Sequence, residues 1–136
     1  MASSLYLGLA LSFALLATVV PSGMLVGAPV TTNPNTEEVK NATTFALEKF
    51  NRMSNDVRLY KLVQMISVES QVVAGVNYFL KMKIGVTSCR KNAEHNLESC
   101  ELEQGNDAEA QICTFKVYVV SWRNEMSLSE SNCEAA

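Results

Sequence analysis

Four cysteines, Cys89, Cys100, Cys113 and Cys133, and a single histidine, His95, are the residues whose types come nearest to reactive chemistry. No two cysteines stand in a Cys-x-x-Cys spacing, and one histidine does not complete a zinc set. A nucleophilic thiol needs a neighbouring base, and His95 lies in a polar stretch. The carboxylates do not cluster, so no acid/base set presents itself. The expectation is a protein that is not an enzyme and needs neither metal nor cofactor. The cysteines read instead as two disulfides, because their number is even and an oxidising compartment favours pairing. Four cysteines allow three connectivities. Nearest-neighbour pairing, Cys89–Cys100 and Cys113–Cys133, would close two short loops worth about 3 kcal/mol each in the chain-entropy model.

The remaining chemistry is that of contact. Gln71-Val72-Val73-Ala74-Gly75 separates two strand-like stretches. A hairpin tip facing water is normally polar, so adjacent valines beside a glycine suggest a surface meant to be covered. Trp122, the only tryptophan, falls in a second short turn. Leu25 and Val26 precede Gly27 in an extended N-terminal arm. Each has a plainer role available: Gly75 as a turn glycine, the valines as strand residues, Trp122 as core.

These groups must be held by the elements around them. Leu5 to Val20 is almost wholly apolar, and no Asp, Glu, Lys or Arg precedes Glu37. The run is short for a membrane span, and small residues follow at Pro21, Ser22 and Gly23. It reads as a secretory signal peptide over residues 1–23, leaving one domain over 24–136 and a secreted, extracellular protein. Its n-region departs from the usual pattern in having no Lys or Arg. The net charge of −3 gives no footprint for nucleic acid or an anionic membrane.

Beyond the arm, Asn35 followed by Glu38 predicts a capped helix start. Val39, Ala42, Ala46, Phe50 and Met53 recur at helical spacing, and the helix is expected to end near Ser54-Asn55. Asn41-Ala42-Thr43 is a glycosylation sequon, making Asn41 a candidate glycan site. Residues 57–71 and 75–87 predict a long hairpin with Gln71–Gly75 at its tip. The first strand alternates imperfectly. The second places Val76, Tyr78, Leu80, Met82 and Ile84 on one face. A polar excursion follows from Cys89 to Asp107. A third strand is expected over Gln111–Ser121, with Cys113, Phe115, Val117 and Val119 inward, and a fourth from Glu125 to about Cys133. One helix followed by antiparallel strands predicts an α+β domain.

In this order the features resemble the secreted type 2 cystatins, inhibitors of papain-like cysteine proteases. Gly27, the Gln-x-Val-x-Gly motif at 71–75 with its continuation Val76-Asn77-Tyr78-Phe79-Leu80, the four-cysteine layout and Trp122 carry the resemblance over almost the whole chain after residue 23. It implies one long helix wrapped by a four- to five-stranded antiparallel sheet, with sequential disulfides. It also implies that three segments occlude the active-site cleft of cathepsins: Leu25-Val26-Gly27, Gln71–Gly75 (with Val72, Val73 and Ala74) and the turn at Trp122. The family's second loop usually reads Pro-Trp, whereas Ser121 precedes Trp122 here. Ser54-Asn55-Asp56 is similar to a second motif of some members, in which the asparagine engages legumain. Asn55 and Asp56 also suit a helix end and turn. The resemblance implies a monomer, with hairpin exchange as a route to a domain-swapped dimer. A competing reading is a secreted binding module of the same fold without inhibitory activity, since fold does not fix function.

Overall fold

The computed structural model describes residues 27–92, 96–103 and 109–136. Residues 1–23, expected to be a signal peptide, and Leu25, Val26 and His95 lie outside the described residues. Eight elements follow one another: β1 (Val30–Thr31), α1 (Glu37–Met53), β2 (Arg58–Val73), β3 (Gly75–Arg90), a 3₁₀ turn (Leu97–Ser99), β4 (Gln111–Val120), a second 3₁₀ turn (Ser121–Arg123) and β5 (Glu125–Ala135). The five strands form one antiparallel sheet in the order β1-β2-β3-β4-β5. The one α-helix among the described residues lies against β2, β3, β4 and β5. This is the expected α+β architecture, with the arm contributing a short fifth strand.

The helix begins one residue later than the sequence predicts. Thr36, not Asn35, is the N-cap: its Oγ1 accepts from Val39 N at 3.3 Å. Asn35 instead donates its backbone N–H to Asn33 Oδ1 at 2.9 Å, as part of the turn leading in. Glu38 therefore has no capping-box role, since the third helical position is Val39. Both Glu37 and Glu38 still favour the positive end of the helix dipole. The buried stripe is also wider than expected. Val39, Ala42 and Ala46 are buried, but so are Thr43, Leu47 and Asn51, whereas Met53 is 61% exposed. In the last turn of α1, Phe50 and Asn51 face the sheet and Met53 lies on the solvent side.

Asn51 is a buried polar residue of α1, as Thr43 is, but it bonds across to the sheet. Its Nδ2 donates to Tyr60 O at 2.9 Å and its Oδ1 accepts from Tyr60 N at 2.8 Å. β1 covers the free edge of β2 only at Glu69 and Ser70. At Tyr60 that edge has no strand partner, and a helix side chain takes its place.

The imperfect alternation of β2 has a structural cause. Its register against β3 shifts first between Arg58 and Tyr60, where the extra residues lie on β3, and β2 itself then gains residues at two slips, between Leu62 and Gln64 and between Met65 and Ser67. Each slip inserts one extra residue, Val63 and then Ile66, and bends the strand around the helix. The inward set becomes Tyr60, Leu62, Met65 and Val68, opposite Val86, Ile84, Met82 and Leu80. Val63 and Ile66 are displaced outward and are 42% and 44% exposed. β3 itself follows the predicted parity, with Tyr78, Leu80, Met82 and Ile84 buried. Phe115, Val117 and Cys113 of β4 complete the core, and Phe50 packs edge-on against both Tyr60 and Phe115.

The disulfides are sequential, Cys89–Cys100 and Cys113–Cys133. The second joins directly opposed residues of β4 and β5. The first ties the loop after β3 back to its strand, and Lys61 of β2 donates its ammonium to Cys100 O within the same loop.

Candidate functional site

Antiparallel order places the β2–β3 tip and the β4–β5 turn side by side. Val76 opposes Val119, and Val120 opposes Glu125, so the turn carrying Trp122 stands next to Ala74 and Gly75. The arm reaches the same end. Val30 and Thr31 pair with Ser70 and Glu69, Thr32 and Ser70 share a 2.6 Å hydroxyl contact, and Gly27 N donates to Val72 O at 3.3 Å. Gly27, the 71–75 motif and Trp122 thus form one rim.

The first tip is tighter than predicted. The two strands continue through the motif, Gln71 opposing Asn77, Val72 opposing Val76 and Val73 opposing Gly75. Ala74 alone is left to turn the chain. Gln71 does not face the tip; its Oε1 accepts from Asn77 Nδ2 at 3.3 Å across the pair. Gly75 has φ +110°, a conformation open mainly to glycine, and it is buried. A β-carbon there would lie 2.7 Å from Val119 O and 2.9 Å from Tyr118 Cε1. The turn glycine of the sequence reading is therefore also a packing requirement.

Val72 is 67% exposed and Trp122 68% exposed, so the rim presents a valine and the tryptophan to solvent. The plainer reading of Trp122 as core does not hold. Val73 is half-buried. The second turn closes with Asn124 N donating to Ser121 O at 3.2 Å and Asn124 in the left-handed region at φ 50°. Residues 121–124 are all exposed.

Ser54-Asn55-Asp56 lies at the other end of β2, roughly 45 Å of strand away at ~3.3 Å per residue. Asn55 is exposed, and it does not take the left-handed cap conformation that its position after a helix suggests. Ser54 is the C-cap, its N–H donating to Phe50 O at 2.9 Å, in an extended conformation that leads straight out of the helix. The loop is pinned on both sides of Asn55. Lys91 donates to Ser54 O, Asp56 N donates to Ser54 Oγ at 3.0 Å, and Arg58 N donates to Asp56 Oδ1 at 2.9 Å. The Arg58 guanidinium spans Asp56 at 3.2 Å and Glu109 at 3.1 Å. Nothing in the sequence separates Arg58 and Glu109 from ordinary surface charges, because their meeting is a contact across 51 residues.

The Arg58 side chain donating to Asp56 holds this carboxyl below its ordinary value of 3.8. A depressed folded-state value contributes stability above the unfolded value, and that contribution is lost as pH falls through the folded one. Asp56→Asn is therefore expected to lower the melting temperature by a constant amount from neutral pH into weak acid. The gap between the two proteins should close only below the ordinary carboxylate range. A gap that closes near neutrality in paired thermal melts would show that Asp56 is not the group responsible.

Asn41 is exposed on α1, but Thr43 of its sequon is buried and donates its hydroxyl to Val39 O at 2.8 Å. Among the described residues no group of three or more His, Cys, Asp or Glu is arranged to hold a metal, and both disulfides leave no free cysteine.

A rigid sheet that projects exposed apolar side chains from two pinned turns and one paired arm is the form of a binding protein. Comparison with known proteins agrees. The family model described as the cystatin domain matches residues 27–122. Cystatin-C of Saimiri sciureus is 38% identical over 133 residues, spanning 97% of this chain and 90% of the monkey protein. The cystatin of Gallus gallus is 40% identical over 111 residues, 81% of this chain and 79% of the bird protein. The crystal structure of dimeric human cystatin F superposes with a TM-score of 0.73 at 29% identity, covering 93% of this chain and 97% of that one. The chain belongs to the cystatin family and is a type 2 cystatin, a family of cysteine protease inhibitors rather than enzymes.

Proposed function

We propose that this protein is a secreted, reversible inhibitor of papain-like cysteine proteases of the cathepsin type, and that the rim at one end of the sheet occludes their active-site cleft. The observation that carries this reading is the convergence of Gly27, Val72–Gly75 and Trp122 at one edge, with Val72 and Trp122 both solvent-exposed. Exposed apolar side chains on strand-pinned turns lose little ordering entropy when they dock. Trp122 is of the residue type most enriched among binding hot spots. Leu25 and Val26, just before Gly27, would extend the contact into neighbouring pockets. No bond is made or broken. The domain assignment, residues 1–23 as a cleaved signal peptide and 24–136 as the inhibitor, belongs to the same proposal.

Titration of active-site-counted papain with the disulfide-bonded protein tests it. Stoichiometric, reversible loss of activity is expected. An absence of inhibition by correctly folded protein would leave a cystatin-fold binding module as the surviving reading.

Ser121 opens the second 3₁₀ turn, a position that favours proline, and Val120 before it is extended, as a residue preceding proline must be. Ser121→Pro is therefore expected to tighten papain binding about two- to fivefold, from ~0.4–1 kcal/mol of lost flexibility in the free loop. Unchanged inhibition constants would mean that the serine turn is already as rigid as it needs to be.

Asn55 is proposed as a separate contact for legumain, an asparaginyl endopeptidase. Its exposure on a loop pinned at Ser54 and Asp56 supports this. Asn55→Ala should abolish legumain inhibition while papain inhibition keeps its wild-type value, since the two ends of β2 are independent. Loss of both activities would instead indicate damage to the fold.

The active form is proposed to be the monomer. A dimer formed by opening the first hairpin would straighten β2 and β3 through Ala74, which removes the turn that presents Val72. Glycosylation at Asn41, if used, must precede helix formation, because the folded helix buries Thr43.

A further inference from the structure

Tyr118 lies on the outer face of β4, on the parity opposite to the core residues Phe115 and Val117, and is half-buried. Its ring does not join the hydrophobic core. It turns instead toward the first hairpin tip. Its hydroxyl donates to Ala74 O, the carbonyl of the one residue that turns the chain. The ring lies over Gly75 so closely that an added β-carbon would meet Cε1 at 2.9 Å and the hydroxyl oxygen at 3.0 Å. Across the sheet Tyr118 opposes Asn77, which in turn bonds Gln71 at 3.3 Å. One row on the outer face, Gln71-Asn77-Tyr118, therefore braces the motif from behind.

We infer that Tyr118 is a positioning residue for inhibition: it fixes the first tip relative to the second turn. The reason is its place in the chain. β4 runs from Tyr118 directly into Ser121–Arg123, so the hydroxyl links the apex of one contact loop to the strand that carries the other. Beyond the Val76–Val119 pair and the Gly27 N–Val72 O bond, residues Val73 to Gly75 project past the neighbouring strands, and such ends fray readily. The role of the brace in inhibition rests on the reading of the rim as the protease contact. Its role in holding the tip does not.

Tyr118→Phe removes only the hydroxyl and keeps the ring over Gly75. Amide hydrogen exchange at residues 73–76 is expected to accelerate about tenfold over wild type, while exchange in the core and the melting temperature change little. The papain inhibition constant should rise about fivefold, the scale of one net hydrogen bond. A tyrosine with only a general structural role would change exchange throughout the domain in step. Unchanged exchange at the tip overturns the inference. Faster exchange with an unchanged inhibition constant, measured against a wild type that inhibits, overturns its link to inhibition. A wild type that fails to inhibit papain removes the proposed function, and the exchange measurement then decides by itself whether Tyr118 holds the tip.

Discussion

Gly75→Ala is expected to weaken papain inhibition by about 30- to 100-fold, the equivalent of ~2–3 kcal/mol. Two costs combine at this residue. Its φ of +110° is one that an alanine occupies only with strain, of order 1–3 kcal/mol. The new β-carbon would also stand 2.7 Å from Val119 O, a backbone atom that cannot swing away as a flexible side chain would. Something must move, and the residues able to move are Ala74 and Tyr118, which shape the contact surface. The melting temperature should fall by several degrees, since ~1 kcal/mol corresponds to roughly 4–8 °C in a domain near this size. Inhibition kinetics and a thermal melt on the same preparation check both. An unchanged inhibition constant would mean that the tip relaxes without altering the face it presents.

The largest effect on stability is expected at Asn51. Asn51→Leu keeps the volume roughly constant but strips both partners from Tyr60, leaving a backbone N–H and a C=O unpaired beneath the helix. Each orphaned group costs about 1–3 kcal/mol, so a total of roughly 2–6 kcal/mol is expected. The melting temperature should drop on the order of 10–20 °C. Asn51→Asp is the informative companion. Ionised, it accepts from Tyr60 N but sets a buried carboxylate oxygen against Tyr60 O, so it should be at least as destabilised as Asn51→Leu near neutral pH and recover as acid protonates it and restores a donor. Equal stability of all three proteins would show that water or a shifted strand satisfies the edge of β2 instead.

The two sites differ in how they are protected against such changes. The rim is held by strand pairing, by Tyr118 and by one glycine, so small substitutions there alter binding more than folding. The Asn55 loop is held by charge. Arg58 grips Asp56 and Glu109 with side chains that are 29%, 23% and 35% exposed. Solvent screens such pairs, so their contribution is to the geometry of the loop more than to the stability of the domain.

The order of helix and strands and the inward faces of β3 and β4 are legible in the chain alone, and so are the three segments proposed as contacts. Those signals are local. Alternation along Val76–Ile84, the helical spacing of Val39, Ala42 and Ala46, and a valine pair ending in glycine are each contained within a dozen residues. The family resemblance then supplied the disulfide pairing, which spacing had left open. Tertiary structure decided what depends on distant partners. The two extra residues that bend β2 around α1 show in the sequence only as imperfect alternation, and their positions are set by pairing with β3. Asn51 reads as a helix-end polar residue until the bare edge at Tyr60 is brought against it. Tyr118 reads as a surface strand residue until the sheet sets it under Ala74 and Gly75, 44 residues earlier in the chain. In each case the deciding interaction satisfies a backbone group or a volume contributed by another element, and periodicity within one segment carries no information about that.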